Sequence, residues 1–171
     1  MLKDNPEIQI NGTDLFLKFE NFYLSLLKKK LSKRFSIFGK TIYFPYVKFG
    51  NTDIFNLIGI DELIIFIFYN KYKKIYSRVA DVGANIGLHT IVLSKLGYKV
   101  DSYEPDEKHF KLLIKNLKKN KLSIKNTIKK GVSNFSGIET FTRVLGNTTG
   151  SHIKNKKLKV YGKIFEYKIK T

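Results

Sequence analysis

A glycine turn and one later acidic residue are the part of this sequence whose residue types and spacing could do chemistry. The turn is the segment 81–87, DVGANIG, and Glu104 follows Asp81 by 23 residues. Ligands of open α/β sheets bind where strands end, because loop amides and helix N-termini converge there. At such an end Asp81 would repel a phosphate and attract an ammonium group, and Asn85 adds a polar side chain. Glu104 is spaced to accept two hydrogen bonds from a ribose diol.

The number of glycines in the turn narrows the class of ligand. A dinucleotide fingerprint needs three glycines as GxGxxG, because the pyrophosphate presses against the backbone. This turn has two, Gly83 and Gly87. A zwitterionic ligand with a cationic centre fits this turn better than a dinucleotide. Together with the ribose-binding carboxylate, the turn indicates a nucleoside that carries an amino acid, and an NAD-type ligand is the weaker alternative.

The elements that must position these residues follow from the hydrophobic pattern and from the helix-capping residues around the turn. Three short β-like runs alternate with two helical runs, which is typical of a parallel, right-handed α/β sheet. The predicted elements are a strand at Arg78 to Val82, a helix at Gly87 to Leu96 closed by Gly97, a strand at Lys99 to Tyr103, a helix opened by Pro105 and Asp106, and a strand within Ile124 to Val132.

The residues before this unit carry three other patterns. Asp14 to Arg34 has the apolar spacing of one helical face and a basic end, which predicts an amphipathic helix. Thr41 to Phe49 is β-branched and aromatic and predicts a pair of strands interrupted at Pro45. Asp53 to Tyr72 is dense in Ile, Leu and Phe and predicts a buried helix. We assign residues 1–40 to an N-terminal amphipathic helical extension.

The residues after the unit alternate apolar and polar side chains. This alternation runs through Gly137 to Leu145, Leu158 to Val160 and Phe165 to Ile169, and it predicts antiparallel strands. The loop Gly146 to His152 separates them. We assign residues 41–171 to one α/β domain with a C-terminal antiparallel excursion.

Several segments together resemble a known family. The segments DVGANIGLHT and YEPDE are similar to the cofactor site of class I S-adenosylmethionine-dependent methyltransferases, and more narrowly to the FkbM-type family. FGNTDIFN, DELIIF, KKGVSNFSG and GNTTGSH are similar to further parts of that family's pattern. The resemblance covers roughly Tyr43 to Thr171.

The resemblance implies a fold, a cofactor and a set of site residues. The fold is the N-terminal half of a Rossmann-like class I methyltransferase sheet. The cofactor is S-adenosylmethionine, and the implied reaction is O-methylation of a sugar or another small natural product. By this resemblance the cofactor-binding residues are Asp81, Gly83, Asn85 and Gly87 at its methionine end, Glu104 at its ribose, and Gly131 to Ser133 beside its adenine.

Methylation of a hydroxyl group needs a base that takes up the hydroxyl proton. The chain has three histidines that could act as this base. We expect His109 at the surface and His89 in packing or cofactor contact. His152 lies in the GNTTGSH loop, which in a sheet of this topology could face the methyl group, so we name it as the candidate catalytic base. The alternative is that His152 only helps to form the turn. Asn147, Thr148 and Thr149 could bind a polar acceptor or build the same turn.

The resemblance also implies that part of the sheet is supplied from elsewhere. In this family a further strand with an acidic motif follows shortly after position 171, and then the rest of a seven-stranded sheet. We therefore expect the strand Arg78 to Val82 to form a bare edge. We also expect that a second chain or a missing C-terminal segment completes the sheet, and that the isolated chain is inactive.

The sequence is strongly basic, with 32 Lys and Arg against 14 Asp and Glu and a net charge of +18. Only three of these bases are arginine, whereas proteins that bind phosphates favour the guanidinium group. Over-use of Lys, Ile, Asn, Phe and Tyr is typical of an A- and T-rich coding sequence. We expect no nucleic-acid partner. A basic nucleic-acid-binding module, or an RNA-directed relative of the methyltransferases, stays the alternative function.

Composition excludes several other classes. The chain has no cysteine, which removes disulfides, thiolate nucleophiles and Cys-type metal sites, and we expect no bound metal. The N-terminus lacks an apolar signal region, and the longest apolar run, Leu63 to Tyr69, is too short to span a bilayer. We therefore expect a cytoplasmic protein with no membrane span.

Overall fold

The computed structural model describes residues 34–45, 47–53, 58–154 and 162–171. The predicted amphipathic helix lies outside these residues except for Arg34, and the predicted strand 158–160 lies outside them too. The described residues of the extension, 34–40, form the first strand and the turn of a β-hairpin. Its strands are β1 (Arg34–Ile37) and β2 (Lys40–Tyr43), which pair antiparallel.

A three-stranded parallel sheet lies at the centre of a mixed α/β fold. Its strands are β5 (Arg78–Val82), β6 (Lys99–Tyr103) and β7 (Thr127–Ile128), in the order β5-β6-β7. Within the described residues β5 forms an edge, as predicted. Strand β7 is shorter than predicted because the chain turns after Ile128, and the N–H of Gly131 then donates to the carbonyl of Lys170 instead of to β6.

The helices that follow β5 and β6 have the predicted ends. Helix α2 (Leu88–Leu96) stops at Gly97, whose φ of 103° is left-handed and whose N–H donates to the last turn. Helix α3 (Glu107–Lys119) starts after Asp106, whose carboxylate accepts hydrogen bonds from two backbone N–H groups of the first turn. Both ends use the standard capping chemistry of their residue types.

Helix α1 (Ile60–Tyr72) differs from its prediction in both start and burial. It begins after Gly59, and Phe66 is its one fully buried side chain. Ile64 and Ile67 are 61% and 57% exposed, so the prediction of a buried helix is wrong for this face. The hydrophobic residues correctly predicted a helix. They did not predict which of its faces is buried, because burial depends on the neighbours that pack against each face.

The C-terminal part of the chain forms the predicted antiparallel sheet. It contains β8 (Ile138–Val144), β9 (His152–Ile153) and β10 (Ile164–Lys170), in the order β10-β8-β9. A 3₁₀ turn, Thr148–Gly150, lies in the loop between β8 and β9. His152 therefore begins a strand instead of ending a loop.

A short ribbon holds that loop in place. Strands β3 (Lys48–Phe49) and β4 (Thr52–Asp53) pair antiparallel, and the N–H of Asn51 between them donates to the carbonyl of Gly146, at 2.8 Å. Gly50 has a φ of 82°, and a Cβ atom there would collide with the backbone of Gly146. The ribbon and the loop can approach this closely only because a glycine occupies position 50.

The core lies between the parallel sheet, the helices and the β1–β2 hairpin. Asn120 ties the hairpin to the end of α3, because its side chain exchanges two hydrogen bonds with the backbone of Tyr43, at 2.9 and 2.7 Å. In the part of the chain that the structure describes, no helix combines the length and hydrophobicity needed to cross a bilayer. The largest fully buried apolar side chains include Ile42, Phe49, Phe66, Ile86, Ile91, Leu113 and Leu117.

Candidate functional site

A small cavity lies where β5 and β6 end, and we call it the turn cavity. Its volume is about 90 Å³. One side is the glycine turn and the segment after β6, and the other is the loop between β8 and β9. The lining residues are Gly83, Asn85, Glu104, Pro105, His109, Phe141, Thr148, Thr149 and Ser151.

The glycine turn passes through three left-handed residues. Gly83, Asn85 and Gly87 have φ values of 77°, 52° and 93°. A side chain at position 83 would meet no other atom, so only the positive φ of this residue requires glycine. At position 87 a Cβ atom would lie 2.5 Å from Cδ1 of the buried Leu113. Gly87 thus allows the turn to pack directly on α3. Asn85 is one of the few non-glycine residues in this conformation, which Asn tolerates better than most residues.

Glu104 is the carboxylate at the centre of the turn cavity. It is only 4% exposed, and its two oxygens accept hydrogen bonds from the N–H groups of Asn85, at 2.7 Å, and Asp106, at 2.8 Å. Burial raises the pKa of Glu104 to about 7, although these two hydrogen bonds favour the charged form. In its charged form each oxygen keeps one further lone pair, so the carboxylate can still accept hydrogen bonds from a ligand.

The side chain of Asn85 supplies a second acceptor beside Glu104. Its Oδ1 is buried and makes no hydrogen bond to the described residues. An unpaired buried carbonyl costs roughly 1–3 kcal/mol. A donor from a bound molecule would remove that cost, so this atom is a binding feature of the turn cavity.

His109 lines the opposite side and is neutral. Burial lowers its pKa to about 4, and its ring packs edge-on against Phe49 at a centroid distance of 5.8 Å. Its Nε2 is hydrogen-bonded to Oγ1 of the buried Thr148, at 3.0 Å. The sequence placed His109 at the surface, and this expectation is wrong, because the β8–β9 loop covers the first turn of α3.

A buried ionic network lies next to the cavity, and no sequence motif predicted it. Asp106 is fully buried, forms an ion pair with Arg143, and accepts a hydrogen bond from the hydroxyl of Tyr167 at 3.2 Å. Burial favours its neutral form, but the N–H of His109 and the charge of Arg143 keep the pKa of Asp106 below its ordinary value. Burial together with the charge of Asp106 raises the pKa of Tyr167, so the phenol remains a donor. The network joins α3 to β8 and β10.

The structure brings three of the expected cofactor-binding residues together and leaves the others apart. Gly83, Asn85 and Glu104 line the turn cavity, and Gly87 packs beside it on α3. Asp81 is not among the lining residues, and its carboxylate accepts a hydrogen bond from the hydroxyl of Thr90 on α2.

Ser133 and His152 also lie outside the lining of the turn cavity. The Ser133 hydroxyl is paired with the side chain of its neighbour Asn134, at 3.3 Å. His152 donates from Nδ1 to the carbonyl of Gly150, at 3.0 Å, since a carbonyl can only accept. In neutral His152 the free lone pair is therefore on Nε2, the form that a general base needs.

His89, which we expected to pack or to contact cofactor, joins α2 to α1. Its Nε2 lies 2.9 Å from the carboxylate of Glu62, and the hydroxyl of Tyr69 lies 3.1 Å from its Nδ1. Burial works against the charged ring, but the hydrogen bond and charge of Glu62, with Asp81, raise the pKa of His89. Its packing role is thus visible in the structure.

Comparisons with known proteins add no relative. A scan of protein-family models, a search of curated proteins and a search of solved structures each found no match to this chain. Among the described residues, no group of three or more His, Asp or Glu side chains is placed to hold a metal ion.

Proposed function

We propose that the chain binds S-adenosylmethionine at the turn cavity and methylates a hydroxyl group of a sugar or another small natural product. The observation that carries this proposal is the convergence of two acceptors at the ends of β5 and β6. These acceptors are the buried carboxylate of Glu104 and the unpaired Oδ1 of Asn85. On this proposal the sheet is the N-terminal half of a Rossmann-like methyltransferase sheet.

The donors and charges of this cofactor suit the residues that line the cavity. A ribose diol offers two hydroxyl donors, and Glu104 has a free lone pair on each oxygen. An ammonium group offers donors for Oδ1 of Asn85. His109 is neutral at physiological pH, because its pKa is about 4, so it does not repel a sulfonium cation. The family resemblance also implies roles for Asp81 and Ser133, but neither residue lines the turn cavity, so both would contact the cofactor only outside it.

Binding requires the cavity to enlarge. Sites for small molecules measure roughly 300–1,000 Å³, and the turn cavity measures about 90 Å³. The loop that closes it carries Thr148, Thr149 and Ser151, and the hydrogen bond between His109 and Thr148 holds this loop against α3. On this proposal the loop moves outward when the cofactor enters.

The chain's own residues then position the reactants and move one proton. S-adenosylmethionine, when bound, supplies a methyl group on a positively charged sulfur. Glu104 and Asn85 hold the cofactor, and most of the rate gain comes from keeping acceptor and donor in line. His152 follows Ser151, and its Nε2 would accept the proton of the acceptor hydroxyl when that oxygen takes the methyl group and the carbon–sulfur bond breaks, leaving S-adenosylhomocysteine.

Calorimetric titration with S-adenosylhomocysteine tests the proposal. We expect the wild type to bind it, and Glu104→Gln and Asn85→Ala each to weaken binding by about tenfold or more, because each variant removes an acceptor from a buried donor. Asp61→Asn is the matched control, since Asp61 is an exposed carboxylate on α1 outside the cavity lining. Equal affinity in all four proteins would contradict the proposed site, and no binding by the wild type would contradict the proposed function.

A further inference from the structure

Helix α1 presents an exposed apolar surface. Ile64, Ile67 and Phe68 are 61%, 57% and 52% exposed, and Ile65 is exposed too. The core lies on the other side of the helix, where Phe66 is fully buried. Isolated apolar residues on a protein surface are ordinary, whereas a contiguous group of them marks a place where something binds.

Two opposite charges lie at the ends of this surface. Asp61, Ile64, Phe68 and Lys71 are separated by three, four and three residues, so they form one row along the helix, and we call this row the α1 face. Asp61 and Lys71 are both exposed, and neither forms an ion pair within the part of the chain that the structure describes. Lys71 lies over the ring of Tyr72, with its Nζ 5.4 Å from the ring centre, and this contact leaves its charge without a counter-ion.

The α1 face is complementary to a reversed copy of itself. Asp61 and Lys71 are each five residues from Phe66, which is the midpoint of the helix. If a second α1 runs antiparallel with the two midpoints level, Asp61 of each copy lies opposite Lys71 of the other. Ile64 of each copy then lies opposite Phe68 of the other. Alternating steps of three and four residues are the spacing along which two helices pack side by side, at an axial separation of about 8–10 Å.

This distribution of charge favours a second copy over other occupants of the α1 face. An anionic membrane would attract Lys71 but repel Asp61, which lies at the other end of the same apolar row. In a two-fold dimer every contact occurs twice, once in each direction. One antiparallel pairing therefore gives both charges a partner and covers the apolar centre of both helices.

We propose that two copies of this chain associate through the α1 face as an antiparallel, two-fold dimer. Ile64 and Phe68 form its apolar centre, and the ion pairs between Asp61 and Lys71 set its register. The 13 residues of α1 span about 20 Å, so the interface is small and the dimer dissociates in the micromolar range. None of these residues lines the turn cavity, so the inference does not depend on the proposed function.

Exchange of the two charges tests the register. Sedimentation velocity is measured over a series of micromolar concentrations at about 0.15 M salt, because there the net charge of +18 is screened beyond about 8 Å. The variants are Asp61→Lys, Lys71→Asp and the double variant Asp61→Lys/Lys71→Asp, which has the net charge of the wild type. The matched control is Lys115→Asp, which reverses an exposed lysine on α3.

We expect the wild type and the control to form dimers as the concentration rises. Asp61→Lys and Lys71→Asp should each raise the dissociation constant by about tenfold or more, because each change places like charges opposite each other at both ends of the interface. The double variant should dimerise like the wild type. An equal mixture of the two single variants should also dimerise, since opposite charges then face each other again.

A variant of the apolar centre tests whether the α1 face is free in the monomer. We expect Ile64→Gln/Phe68→Gln to be monomeric throughout the concentration series. Its free energy of unfolding in dilute solution should match that of the wild type, because both side chains are exposed in the single chain. Chemical denaturation measures this quantity.

Other outcomes overturn the inference in distinguishable ways. A wild type that stays monomeric at every concentration overturns it, and so does a dimer that all the charge variants form equally well, because its interface then lies elsewhere. If the wild type is monomeric and Ile64→Gln/Phe68→Gln lowers the free energy of unfolding, another part of the same chain covers the α1 face. If the monomer binds phosphatidylserine vesicles and this variant does not, a lipid surface covers it.

Discussion

Glu104 and His109 line the same cavity, and burial shifts their pKa values in opposite directions. The pKa of Glu104 rises from 4.5 to about 7, so the folded state holds a proton that the unfolded state has lost. Its contribution to stability is largest below pH 4.5 and is lost as the pH rises to 7. The pKa of His109 falls from 6.5 to about 4, so its contribution is present above pH 6.5 and is lost as the pH falls to 4. Each shift corresponds to about 3 kcal/mol.

Between pH 4.5 and 6.5 the two groups have opposite effects on the free energy of unfolding, and these effects largely cancel in the wild type. Variants that remove one group at a time should separate them. In Glu104→Gln the free energy of unfolding should rise with pH more steeply than in the wild type, because only His109 still titrates. In His109→Gln it should fall with pH relative to the wild type. Urea unfolding at pH 4.5, 5.5 and 6.5 measures both slopes. If the free energy of unfolding changes with pH equally in all three proteins, the two groups do not titrate as described.

At the scale of elements, the turn between β5 and α2 shows what sequence can and cannot predict. The glycine at position 97 was predicted as a helix cap because a left-handed C-terminal residue is a local requirement. The requirement for glycine at position 87 is not only local. It packs on Leu113, which is 26 residues later in the sequence and belongs to α3, so no pattern around the turn could reveal it.

Alanine at these two glycines separates backbone strain from packing. Both have strongly positive φ, but a Cβ atom at position 97 meets nothing within 4 Å. We expect Gly97→Ala to lower the free energy of unfolding by about 1–2 kcal/mol, because of backbone strain alone. Gly87→Ala should cost about 1–3 kcal/mol more, because it also overpacks the core at Leu113. Chemical denaturation measures the difference, and equal losses would contradict the packing role of Gly87.

At the scale of the whole molecule, the alternating strands and helices were predictable and the convergence of distant side chains was not. Strands β5 and β6 match their predicted bounds because their signals are local. The network of Asp106, Arg143 and Tyr167 joins residues separated by 37 and 61 positions. The contact of His109 with Thr148 spans 39 positions and closes the turn cavity. Such contacts depend on how the antiparallel sheet packs against α3, and a local sequence pattern does not predict that packing.

The central claim is that one S-adenosyl ligand binds at the ends of β5 and β6, between the glycine turn and the β8–β9 loop. Mapping amide chemical shifts by ¹⁵N NMR while S-adenosylhomocysteine is added tests this claim most directly. We predict that the largest shifts occur at Gly83, Asn85, Glu104 and Thr148, with smaller changes along α1. Largest shifts elsewhere, for example along the exposed face of α1, or no shifts at saturating ligand, would contradict it.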